Sequence, residues 1–140
     1  MPRKYLISAI ALFVFGLVLS FLMFRLAMGD VLQTDRVAQM PGVVEPLGVL
    51  AEVIFVLAFV WVWSQGVDPA KGTLGQGLRY GLAVGLMTFV PAALLIGAMV
   101  PDIGPSVLGW VATTGPIKVI LMGAVLSQIY RPEAPPATAP

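Results

Sequence analysis

Lys118 and Glu52 are the residues of this chain whose type and setting imply chemistry. Each stands inside a run of apolar residues, in a sequence that is 59% hydrophobic and only 11% charged. An ammonium group at the centre of a bilayer costs roughly 2.5–3.5 kcal/mol on insertion scales, so such a lysine needs a partner or a task. Glu52, an acid well inside another apolar run, is the natural partner. Arg25, at the far end of the first run, competes for it. Arg25, Glu52 and Lys118 therefore form a candidate intramembrane charge cluster. It could fix helix register or contact a partner subunit. It could instead serve transport or a proton relay, or seat an anionic lipid or ligand. A buried pair is in itself weak evidence of stabilisation.

Other chemistry is limited by what the chain lacks. With no cysteine, it has no disulfide, no thiolate nucleophile and no zinc–sulfur site. With no histidine, the commonest metal ligand and the usual general base near neutral pH are missing. No Ser/His pair exists, and no two aspartates lie inside spans as an intramembrane aspartyl protease would need. No metal, cofactor or enzymatic reaction is expected. A net charge of +1 without a basic run offers no footprint for nucleic acid.

Two further sets of residues concern packing. Gly77, Gly81 and Gly85 recur every fourth position, which on a helix clears one face for close approach of another helix. That stripe fits close packing inside the monomer, or a contact with a second copy or another protein. Pro91 and Pro116 each remove a backbone N–H and disturb the carbonyl four residues earlier, at Met87 and Ala112, which predicts helix kinks. Thr88, Thr113 and Thr114 are placed to re-satisfy the freed carbonyls. Discontinuous helices bind ions in some transporters, but kinked helices in a bundle are ordinary.

The elements that must position these residues are four apolar runs, at about residues 5–24, 47–64, 80–100 and 106–129. Each is long enough for a hydrocarbon core of about 30 Å. None alternates as a barrel strand does, so each must be a helix, the element that satisfies its own backbone in lipid. The expectation is a four-helix transmembrane bundle forming a single domain over residues 1–131, with a disordered Pro/Ala tail at 132–140. The first run exceeds a signal-peptide core and lacks a following cleavage site, so it reads as an uncleaved span. Pro101-Asp102-Ile103-Gly104-Pro105 reads as a tight turn that makes the third and fourth helices an antiparallel hairpin. Residues 65–79 read as a glycine-rich loop, and 25–45 as the longest connection, with a short interfacial helix.

Arg3, Lys4, Lys71, Arg79 and Arg131 fall on one side of the bilayer, against Arg25 and Arg36 on the other. The positive-inside rule then puts both termini in the cytoplasm, and the aromatics at the span ends agree. From Pro46, Glu52 lies about 9 Å below the outer boundary; Lys118 lies about 18 Å down, near mid-bilayer.

The stretch Gly77-Leu78-Arg79-Tyr80-Gly81-Leu82 with Gly85-Leu86, Pro91 and the closing Ile129-Tyr130-Arg131-Pro132 resembles a family of small, uncharacterised four-span bacterial membrane proteins. In that family a G-L-R-Y-G-L-x-x-G-L pattern opens the third helix and I-Y-[KR]-P closes the fourth. The likeness covers mainly residues 61–132. Such proteins often carry a histidine after the first span and an acid near the position of Lys118, and this chain has neither. The resemblance implies the fold and a bacterial inner membrane, and no activity.

Together these features lead to a non-enzymatic inner-membrane protein, an accessory or scaffold subunit that packs with itself or with a larger membrane complex. The alternative is a small transporter, channel or lipophilic-ligand binder using Arg25, Glu52 and Lys118.

Overall fold

A computed structural model describes residues 3–27, 46–99 and 103–130. Among them are four helices and no strand: α1 (Arg3–Ala27), α2 (Pro46–Gly66), α3 (Thr73–Met99) and α4 (Pro105–Ile129). All four are long and apolar enough to cross a membrane. At 1.5 Å per residue the shortest, α2 with 21 residues, extends about 31 Å, and the 27-residue α3 about 40 Å. Of the loop expected over 25–45, residues 25–27 belong to α1; residues 28–45, residues 101 and 102 of the turn and the tail at 132–140 lie outside the described residues.

The helices exceed the apolar runs at most ends, because hydropathy marks the lipid-crossing part and backbone hydrogen bonding continues past it. The largest difference is at α3, which begins at Thr73 rather than near Tyr80. Gly75, read from sequence as a loop residue, is therefore helical, and Gly77 lies one turn inside α3. The connection shrinks to residues 67–72, and Gln76 ties it down. Its amide donates to the carbonyls of Asp68 (2.9 Å) and Lys71 (3.2 Å), and its Oε1 accepts from the Asp68 N–H at 2.9 Å.

Tyr5, Ala9 and Leu12 of α1, Val56, Phe59, Val60 and Trp63 of α2, and Val119, Met122 and Leu126 of α4 form one buried cluster. Helix α3 joins differently. Its buried residues are Gly77, Gly81, Gly85 and Ala93, so it meets α4 backbone to backbone. Contacts run Gly77 to Gly123, Gly81 to Val119, Gly85 to Pro116 and Gly97 to Leu108, which makes α3 and α4 antiparallel. The outer face of α3 is apolar and open: Leu94, Met87 and Met99 are 71%, 73% and 77% exposed. Water would not tolerate such a surface on a monomer, whereas lipid tails match it. The fold is compatible with a multi-pass integral membrane protein.

Two tyrosines brace α2 from either side. Tyr5 of α1 donates to the Leu57 carbonyl at 2.6 Å, and Tyr80 of α3 donates to the Phe59 carbonyl at 2.7 Å. The Tyr80 ring also packs on Phe59 (centroids 4.6 Å) and Trp63 (5.6 Å). Trp63 is thus a core residue, while Trp61 faces outward.

Candidate functional site: a buried ion pair across three helices

The structure joins Glu52 and Lys118. Lys118 Nζ donates to both carboxylate oxygens of Glu52, at 2.9 Å to Oε1 and 2.8 Å to Oε2. These are distances for charge-assisted hydrogen bonds, the stronger kind. Both side chains are nearly enclosed, at 11% and 12% exposure, so α2 and α4 are tied by a pair shielded from its surroundings. Lys118 shares its face of α4 with Met122, one turn on, which is fully buried.

A third helix completes the site. A Cβ built on Gly16 of α1 would stand 2.5 Å from Glu52 Oε1, 3.6 Å from Glu52 Cδ and 3.5 Å from Met122 Cε. The Glu52 carboxylate therefore lies directly on the bare backbone of α1. Gly16 is the one glycine of α1, and the sequence reading missed it.

Eleven residues of α1 follow Gly16, about 16 Å, whereas six residues of α2 precede Glu52, about 9 Å, so α1 extends farther past the pair than α2 does.

The remaining expected site residues are distributed as follows. The backbone of Arg25 belongs to α1, but its side chain lies outside the described residues. Gly77, Gly81 and Gly85 face α4 and not the ion pair. A Cβ at Gly81 would come 2.5 Å from the Val119 carbonyl oxygen, and one at Gly85 would come 2.7 Å from Pro116 Cα. At Gly77 it would collide with the Gly123 carbonyl oxygen. Both prolines sit inside their helices, which remain helical through them. Thr113 and Thr114 do not serve the Ala112 carbonyl. Thr113 donates to the Gly109 carbonyl at 2.7 Å and Thr114 to that of Trp110 at 2.6 Å, because their hydroxyls fold back one turn within their own helix. Pro116 instead presents smooth backbone to Gly85.

Chemically, the pair cancels its own charge and is covered by a glycine and a thioether. Among the described residues no group of three or more acids could hold a metal ion. The chain matches none of the family models, curated proteins or solved structures with which it was compared, so its function has to be argued from this geometry alone.

Proposed function

We propose that this chain is a non-enzymatic protein of the inner membrane. In this reading it is a packing subunit that joins a larger membrane assembly, or a second copy of itself, through its apolar outer faces. The observation behind this reading is the closed state of the ion pair. The acid and the base inside the spans satisfy each other between three helices, which suits a device that sets the register of α2 against α4. The glycine stripe is engaged with α4, so an assembly contact would use the large apolar residues on the outer faces of α1 and α3. Extraction of native membranes into nanodiscs, followed by mass determination of the intact particle, tests this. Co-purification with a larger assembly or a defined homo-oligomer supports it; a lone monomer overturns it.

A second reading rests on the same pair. A carboxylate and an ammonium at mid-membrane are groups a small transporter or proton carrier would use. Flux in proteoliposomes separates the two, because a carrier whose Glu52 and Lys118 are both replaced by neutral residues keeps its fold and loses transport.

A further inference from the structure

We infer that Gly16 is the positioning residue of the Glu52–Lys118 pair. Its missing side chain is the space into which the Glu52 carboxylate fits. The inference concerns how the pair is built and does not depend on what the bundle assembles with.

Among the described residues seven glycines meet another helix, and the contacts differ in kind: Gly97 and Gly115 face the apolar side chains of Leu108 and Phe89, Gly123 faces the Gly77 backbone, and the other four divide further. At Gly77, Gly81 and Gly85 an added methyl meets main-chain atoms of α4. At Gly16 the nearest atom is a carboxylate oxygen at 2.5 Å, while Met122 Cε at 3.5 Å is already at ordinary contact. The three atoms nearest that position all belong to side chains, two of them to the Glu52 carboxyl. Gly16 is therefore the point on α1 where the acid needs room. Replacing it with alanine would push Oε1 back by about 1 Å to reach normal carbon contact distances. Lys118 holds both oxygens, so the carboxylate retreats from α1 only if the lysine moves with it. Helix α1 thereby acts on the pair without supplying a polar group to it.

The inference makes Gly16→Ala an overpacking change whose target is the acid. Its expected effect is about a tenfold fall in the folding equilibrium constant, within the range for such changes. Shortening the acid should cure it. Glu52→Asp withdraws the carboxylate by one methylene from α1, and the flexible lysine stem can follow. The test is reversible unfolding in detergent micelles of four proteins: native, Gly16→Ala, Glu52→Asp and the double variant. Recovery of the double variant above the sum of the two single losses supports the inference; strictly additive losses overturn it. A second measurement changes sign rather than size. In a Glu52→Ala, Lys118→Met background the carboxylate is gone, and Gly16→Ala should raise stability by filling the vacated space. If Gly16→Ala costs the same there as in the native chain, glycine is needed for helix approach itself and the assignment fails. If that background does not fold, the four-protein comparison decides alone.

Discussion

Gly77 and Gly123 face each other so closely that a Cβ on either would strike the other's carbonyl oxygen. The contact is reciprocal, and it joins α3 to α4 within one chain. Gly77→Ala, Gly81→Leu and Gly123→Ala should therefore unfold the monomer or separate α3 from α4, because main-chain atoms cannot step aside. Overpacking of this sort typically costs about 1–3 kcal/mol, and leucine should exceed alanine. Gly75 and Gly109 are the controls. Both are helical, and an added Cβ meets nothing within 4 Å. Their replacement by alanine should be neutral or stabilising by up to about 1 kcal/mol through helix propensity. Unfolding of all five variants in mixed micelles checks this. Equal losses at Gly75 and Gly77 would show that α3 does not lie on α4 along this stripe.

The ion pair should respond asymmetrically to single and double replacement. Glu52→Gln alone leaves an ammonium enclosed among apolar side chains, and Lys118→Met alone leaves a carboxylate there. Removing one member of a buried pair typically costs about 3–5 kcal/mol. The double variant Glu52→Gln, Lys118→Met should recover to within about 1.5 kcal/mol of the native chain or surpass it, since desolvation of both charges is then avoided. A double-mutant cycle on unfolding free energies measures the coupling. A coupling near zero would mean that the two groups do not meet in the membrane.

Legibility in the sequence followed the physical source of each feature. The four spans were readable because lipid demands long apolar runs, and the glycine stripe because its spacing is the helix repeat. Glu52 and Lys118 stood out as charges in such runs. Gly16 did not, because a missing side chain leaves no trace in hydropathy and gains meaning only from the residue opposite it. The first turn of α3 was read as loop because the apolar run begins only near Tyr80, whereas Gln76 closes the preceding connection and the helix begins at Thr73. The two threonines before Pro116 were assigned to its freed carbonyl on proximity, but a helical threonine reaches the carbonyl four residues back.

Tyr5 and Tyr80 hold α2 from opposite sides by donating to carbonyls two residues apart, those of Leu57 and Phe59. Tyr80→Phe keeps the ring on Phe59 and Trp63 and removes the hydroxyl alone, so it should cost about 1 kcal/mol, as should Tyr5→Phe. Tyr80→Ala also loses the ring packing and should cost about 3–5 kcal/mol. The phenylalanine variants should accelerate amide hydrogen exchange in the middle of α2 more than in α4. An exchange pattern raised equally over all helices would mean that the hydroxyls support the whole bundle and not α2 in particular.

Asp68 is the group whose titration can be followed outside the spans. Lys71 lies 2.9 Å from Asp68 Oδ2, and the Ala70 N–H donates to Oδ1 at 3.0 Å. The Lys71 hydrogen bond first, and the Ala70 N–H second, hold the carboxyl below its ordinary value of 3.8. A carboxylate whose folded pKa is depressed adds stability above its unfolded pKa and loses it as pH falls through the folded value. The loop order at 67–72 should therefore persist at neutral pH and loosen below about pH 3.8. The side chain is open to solvent over 39% of its surface, so the effect belongs to the loop and not to the fold. Lys71→Met removes the larger cause and should move the Asp68 carboxyl upward toward 3.8, while Ala70 still holds it slightly low. An NMR titration of the Asp68 carboxyl carbon in the two proteins measures the difference. A midpoint that stays where it was in Lys71→Met would show that the ammonium does not engage Asp68 in solution, leaving the backbone N–H and the Gln76 side chain to shape the turn.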